Sequence, residues 1–141
     1  MTIELLSVFV TGAMLWLSIV IQQLHLDKTG GTAFALSNRD APPADLPPAQ
    51  ARMLRAVRNQ TDVAAVWIAL VLVQQIAGAG GALTYWSAIA MIASRVLYFP
   101  LYAAGITPFR SFAWPLFLVA APVFAVGTWL TMDGTGLLTG G

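Results

Sequence analysis

The sequence predicts an all-α protein, one integral membrane bundle of four helices, and three observations lead to this class. The chain has 141 residues, of which 58% are hydrophobic and only 9% are charged, with a mean hydropathy of +0.76. A soluble domain carries about a quarter charged residues. Four apolar stretches are each close to the roughly 20 residues that cross a hydrocarbon core. Glycine, proline and charged residues cluster between these stretches, and the length suits one compact domain, 1–141.

The four spans follow one another along this domain. The first stretch begins without lysine or arginine and carries Glu4, whereas a cleavable signal peptide begins with basic residues. We therefore interpret it as a retained transmembrane helix. Pro47 and Pro48 suit the start of the second helix, because the first turn tolerates proline. The predicted segments are span 3–26, loop 27–48, span 49–77, span 82–104, span 111–132 and a mobile tail 133–141.

Charge and cysteine content exclude several function classes. The formal net charge is +1, which gives no case for nucleic-acid binding. The chain has no cysteine and one histidine, His25. Disulfides and thiolate-ligated metal centres are therefore excluded, and neither a zinc site nor a haem is expected.

The distribution of charge predicts the orientation in the membrane. Lys28, Arg39, Arg110 and the arginines of the second helix lie on one side, whereas Glu4 and Asp133 lie on the other. Basic loops stay in the cytoplasm. We therefore expect a multi-pass membrane protein with its first and third loops in the cytoplasm and both termini outside, which for an inner membrane is the periplasm.

The stretch 52–62, RMLRAVRNQTD, concentrates polar residues at the start of the second helix. Cations near a helix N-terminus oppose the helix macrodipole, so we expect an anionic group to lie among these arginines. At about 100° per residue, a single arc of roughly 120° holds Arg52, Arg55, Arg58, Asn59 and Asp62.

Arg95 lies within the third span, where a charged residue costs about 2.5–3.5 kcal/mol and normally faces a partner or a wet cavity. Tyr98 and Tyr102 follow at i+3 and i+7, on the same helix face. This face is expected at the same depth as the polar arc of the second helix. The two polar stripes can meet within one subunit or between subunits.

Structural explanations of these residues stay open beside a binding site. Arg58 and Asp62 at i, i+4 can form a pair, with Arg95 as its third member. Arg52 can extend to the headgroups. One observation argues against a purely structural network: several arginines are expected near Asp62, and one carboxylate cannot neutralise them all. Excess guanidinium groups in a partly dry site suit a carboxylate- or phosphate-bearing ligand, and an anionic lipid would also meet this requirement.

Four motifs, in order along the chain, carry a resemblance to a known family. RAVRNQTD at 55–62 is similar to a helix-two signature, Arg-Ala-x-x-Asn-x-x-Glu, and SRVLYFPLY at 94–102 to a helix-three segment. FRSFAW at 109–114 is similar to the opening of helix four, and NRD at 38–40 to the first loop of bacterial members. The chain thus resembles the membrane-associated proteins in eicosanoid and glutathione metabolism (MAPEG) over essentially its whole length. It departs from them at Asp62, where the family usually has Glu.

The resemblance implies a four-helix subunit that assembles as a homotrimer and binds glutathione between neighbouring subunits on the cytoplasmic side. Arg110, with Ser111 beside it, would match the family's catalytic, thiol-activating group, because a nearby cation favours the thiolate. The residues that the resemblance assigns to glutathione binding are Arg55, Arg58, Asn59, Asp62, Arg95, Tyr98 and Tyr102.

These inferences favour an enzyme, a glutathione-dependent membrane transferase or peroxidase that conjugates or reduces lipophilic electrophiles entering from the bilayer. Glutathione is then a co-substrate, and no metal or haem is required. The alternative is a non-catalytic MAPEG-like accessory subunit of a larger membrane complex, with an anionic lipid in the basic pocket.

Overall fold

The computed structural model describes residues 1–38, 47–105 and 107–132, with the backbone alone over 107–114. Within these ranges every regular element is a helix, which confirms the predicted all-α class with four helices. All four are long enough and apolar enough to cross a membrane. The helices are α1 (Ile3–Ala35), α2 (Pro48–Ile76), α3 (Ala82–Ala104) and α4 (Thr107–Met132).

α1 is longer than the predicted first span. It begins after Thr2, whose hydroxyl accepts the Leu5 N–H at 3.4 Å, and it continues past residue 26 to Ala35. The loop predicted over 27–48 is therefore shorter in the structure, because polar residues, even with two glycines among them, can continue a helix beyond its apolar part. The glycines produce a kink instead, since Gly31 has the left-handed φ of +78° that glycine tolerates. The remainder of this loop, 39–46, lies outside the described residues.

The other connections are short. α2 begins with Pro48 in its first turn and ends before a turn at Gly78, and α3 ends at Gly105, which is left-handed with φ +74°. α4 begins at Thr107 rather than at residue 111, because Pro108 falls in the first turn, where proline is tolerated. The predicted tail 133–141 lies outside the described residues.

The core lies between α2, α3 and α4. The side chains of Trp67, Met91 and Phe124 are fully buried in it, and the Trp67 and Phe124 rings pack with their centroids 4.8 Å apart. α3 packs most extensively along α4, while α1 packs on α2 and α3. These contacts fix the rotation of α2 about its own axis, which decides the direction in which its polar residues point.

Two hydrogen bonds tie α1 to its neighbours at the end of the bundle where α2 ends and α3 begins, here called the far end. The Trp67 indole Nε1–H donates to Ser7 Oγ at 2.8 Å. The Thr84 hydroxyl donates to Glu4 Oε1 at 3.0 Å, with both residues buried. The Glu4 carboxylate thereby lies near the N-terminus of α3, where negative charge is favourable. The opposite end, where α2 begins and α3 ends, is called the basic end.

Close packing of α3 on α4 gives a first prediction. A Cβ added at Gly127 would lie 2.7 Å from Leu83 Cβ and 3.3 Å from the Thr84 backbone nitrogen. Gly127→Ala should therefore lower the free energy of unfolding by about 1–3 kcal/mol, the usual cost of overpacking. Thermal unfolding in detergent measures this change.

Gly12 provides the matched control, because a Cβ added there meets nothing within 4 Å. Gly12→Ala should leave the unfolding temperature unchanged or raise it slightly, since alanine favours the helix. Equal effects of the two substitutions would contradict the packing described for α3 and α4.

Candidate functional site

Arg95 is the most deeply buried charged group among the described residues, with 0% of its surface exposed. Its Nη1 donates to Gln60 Oε1 at 3.3 Å, and its Nη2 donates to Ser94 Oγ at 2.7 Å. Its guanidinium carbon lies 5.2 Å from the Tyr98 ring centroid and 5.9 Å from that of Phe117. These are cation–π distances. Across the described chain, no carboxylate forms a salt bridge with it.

Two tyrosines continue the polar contacts from Arg95 toward the basic end. The Tyr98 and Tyr102 rings pack with their centroids 5.4 Å apart. Tyr102 in turn accepts a hydrogen bond on its hydroxyl from Arg55 Nε at 3.3 Å. The structure thus brings four of the predicted binding residues together within one subunit. We call this set, with Gln60 added, the α2–α3 seam; its residues are Arg55, Gln60, Arg95, Tyr98 and Tyr102.

Arg58 and Asp62 point away from the seam. Both side chains are exposed, and neither forms a salt bridge with any described residue. The network of Arg58, Asp62 and Arg95 considered from the sequence is therefore not formed. Asn59 is half-buried, between the exposed Arg58 and the buried Gln60. Its Oδ1 is buried without a hydrogen-bond partner in the described ranges. The predicted polar arc is thus divided: Arg55 forms a hydrogen bond to Tyr102 on α3, whereas the side chains of Arg58 and Asp62 form none to any described residue.

Gln60 is the residue that sequence reasoning missed. It is 1% exposed and supplies the acceptor for Arg95. Gln60 is uncharged and lies outside the polar arc of α2, so neither charge nor position on the helix indicates a role for it in the sequence. In the structure, Val63 and Trp67 follow Gln60 at i+3 and i+7 and belong to the core, which places Gln60 on the buried face of α2, but the sequence does not show which residues of this apolar helix are buried. A polar residue on the apolar face of a helix requires a buried partner.

Arg52 has a structural position at the end of α3. A Cβ added at Gly105 would lie 3.4 Å from both Cζ and Nε of Arg52, so the guanidinium group lies directly against this helix end. Cations are favourable at a helix C-terminus. This contact accounts for Arg52 without a ligand, although its Nε is buried without a hydrogen-bond partner among the described residues.

The predicted catalytic residues Arg110 and Ser111 lie in the first turns of α4. Their side chains are outside the described part of the structure, so their role stays a prediction. Because α4 starts where α3 ends, both residues belong to the basic end. Within the described ranges, no group of three or more histidine or acidic side chains could hold a metal ion.

Four helices able to cross a membrane, with an arginine–tyrosine seam that is buried at Arg95 and Tyr98, define a small multi-pass membrane protein with its polar residues gathered toward one end. The model of the MAPEG family matches residues 3–130, so the chain belongs to the MAPEG family, as its motifs indicated. Neither the curated proteins nor the solved structures include a match to it. The family includes glutathione transferases and peroxidases as well as non-catalytic members.

The different positions of Arg95 and Arg58 give a second prediction. Arg95→Ala removes a large buried side chain and leaves the Gln60 amide without its partner. It should lower the free energy of unfolding by about 2–5 kcal/mol. Arg58→Ala, at an exposed position, should change it by about 0.5 kcal/mol or less. Unfolding in detergent compares the two variants, and equal losses would contradict the burial of Arg95 beside an exposed Arg58.

Proposed function

We propose that this protein is a glutathione-dependent membrane transferase or peroxidase acting on lipophilic electrophiles. The observation that carries the proposal is the surplus of cations at the basic end: Arg55 joins the seam, while Arg58 is exposed and free of any salt bridge to a described residue. Glutathione carries two carboxylates, and guanidinium groups bind carboxylates bidentately. MAPEG membership supports the same ligand, because members of the family use glutathione as a substrate.

Within the proposal, one subunit supplies only part of the site. Arg58 and Asp62 are exposed on the surface of one subunit, in the half of α2 that lies toward the basic end. A neighbouring subunit of a homotrimer would cover them, and MAPEG proteins typically form trimers. Glutathione would then lie between subunits, with Arg55 and Arg58 on its carboxylates and Asp62 on its amine. The buried Asn59 Oδ1 offers a further acceptor for that amine.

The proposed chemistry starts at the thiol of glutathione. Arg110, with Ser111 beside it, would stabilise the thiolate, because a nearby cation lowers the pKa of a thiol. In transfer, the thiolate sulfur forms a bond to an electrophilic carbon, and the leaving group departs with its bonding electrons. In peroxide reduction, two glutathione molecules become a disulfide while the hydroperoxide becomes an alcohol and water. The proposed orientation places the basic end in the cytoplasm of the inner membrane and both termini in the periplasm.

A second candidate function is a non-catalytic accessory subunit of a larger membrane complex, with an anionic lipid at the arginines. The observation that favours it is the burial of Arg95, whose partners Gln60 and Ser94 are both protein groups. Part of the seam therefore stabilises the subunit without any ligand. A stoichiometric larger complex on native purification, with bound lipid and no thiol-transfer activity, would support this candidate over the enzyme.

Glutathione binding gives a third prediction. Isothermal titration calorimetry in detergent should show binding by the wild type and a roughly ten- to hundredfold weaker affinity for Arg58→Ala. This range corresponds to the loss of one charge-assisted hydrogen bond of about 1.5–3 kcal/mol.

Lys28→Ala is the control for this titration, because it removes one positive charge from an exposed position on α1. It should retain the affinity of the wild type. A wild type that binds no glutathione would exclude the proposed function, and equal losses in both variants would exclude a specific role of Arg58.

A further inference from the structure

We propose that Gln60 is a positioning residue that sets the charge of the α2–α3 seam: its neutral amide holds Arg95 in place without neutralising it, so the site keeps one buried positive charge for an anionic ligand. The inference deepens the proposed function and rests on it for the identity of the ligand. The pairing itself involves one subunit only. Gln60 is 1% exposed, Arg95 is 0% exposed, and Nη1 of Arg95 donates to Oε1 of Gln60 at 3.3 Å.

No described carboxylate compensates the charge of Arg95. Three acidic residues fall within the described ranges, and each has a different position. Glu4 contacts Thr84 at the far end, and Asp27 accepts a hydrogen bond from Gln23 on α1. Asp62 is exposed, two residues from Gln60 on α2 and therefore about 160° away around the helix.

The hydrogen bonds around Arg95 are incomplete in a way that a carboxylate would correct. Gln60 Nε2 and Arg95 Nε are both buried donors with no acceptor among the described residues. Leaving buried donors unpaired lowers stability. Glutamate has nearly the shape of glutamine but presents two acceptor oxygens, and it could pair bidentately with the guanidinium group. The Gln60 amide therefore holds Arg95 less strongly than a glutamate would. In exchange, the positive charge of Arg95 is not neutralised.

This charge lies close enough to the exposed part of the site to affect a ligand there. The Tyr98 ring lies over the Arg95 guanidinium group, the Tyr102 ring packs on Tyr98, and the Tyr102 hydroxyl contacts Arg55. A unit charge about 10 Å from an anion, at an effective dielectric constant of about 20, changes the binding constant by about tenfold. The seam would thus favour ligands with a net negative charge, such as a thiol peptide with two carboxylates, over neutral thiols.

The decisive experiment compares the wild type with Gln60→Glu by thermal unfolding and by glutathione calorimetry, both in detergent. We expect Gln60→Glu to raise the unfolding temperature, through the new ion pair, and to weaken glutathione binding about tenfold. These opposite changes identify a charge-setting role, because a purely structural role would move stability and affinity together. Gln75→Glu, which makes the same change of charge at the far end of α2, should keep the wild-type affinity.

A second variant tests the role of the charge without introducing a buried carboxylate. Arg95→Gln removes the cation but keeps an amide that can pair with Gln60, and it should weaken glutathione binding by a similar factor. A glutathione affinity that either folded variant leaves unchanged would overturn the inference. A lower unfolding temperature of Gln60→Glu would overturn it as well.

A separate ligand distinguishes failure of the inference from failure of the proposed function. If the wild type binds no glutathione, the proposed function is excluded. The effect of the Arg95 charge is then tested through the retention of phosphatidylglycerol, measured by native mass spectrometry. Weaker retention of this anionic lipid by Gln60→Glu than by the wild type would support the inference. Equal retention, or no preference of the wild type for phosphatidylglycerol over phosphatidylcholine, would overturn it.

Discussion

The contact between Arg95 and Gln60 is the constraint on which the arrangement of the site depends. A guanidinium group with no exposed surface needs protein partners, and α2 supplies one only when Gln60 faces α3. Residues two positions away on a helix lie about 160° around it, so Arg58 and Asp62 must then face outward. The core packing of α2 and this buried hydrogen bond agree on one rotation of the helix, which leaves Arg58 and Asp62 available to a ligand or a neighbouring chain.

The two ends of the bundle differ in how completely their buried polar groups are paired. At the far end, Trp67 donates to Ser7, and Glu4 pairs with Thr84. Buried side-chain atoms without a partner among the described residues concentrate toward the basic end, with Thr128 Oγ the exception; the others are Arg52 Nε, Asn59 Oδ1, Gln60 Nε2 and Arg95 Nε. Most buried polar groups in native proteins are paired. The pairing at the basic end is nevertheless complete at Gln50, whose amide contacts His25 Nδ1 and the Gln22 carbonyl, so the unpaired atoms at this end lie in and beside the α2–α3 seam.

Composition and apolar stretches were sufficient to predict four membrane helices, and the motifs were sufficient to predict the family that the match over residues 3–130 confirms. The rotation of α2 could not be predicted, because most of this helix is apolar on every side and hydropathy does not show which arc faces protein. Gln60 was missed for that reason. The extension of α1 to Ala35 could not be predicted from hydropathy, because the apolar run ends near residue 26 whereas the helix continues through the polar residues that follow. The roles of Arg110 and Ser111 stay predictions.

A double-mutant cycle on Gln60 and Arg95 tests most directly whether their contact stabilises the observed arrangement of α2 and α3. Gln60→Met and Arg95→Met keep buried side-chain bulk while removing the hydrogen bond, and unfolding in detergent gives the stability of each single variant and of the double variant. The two effects should not be additive, because both substitutions remove the same hydrogen bond, and the coupling energy should be about 1–3 kcal/mol. Additivity within about 0.5 kcal/mol would show that Gln60 and Arg95 act independently, and would contradict the claim that their contact stabilises this orientation of α2.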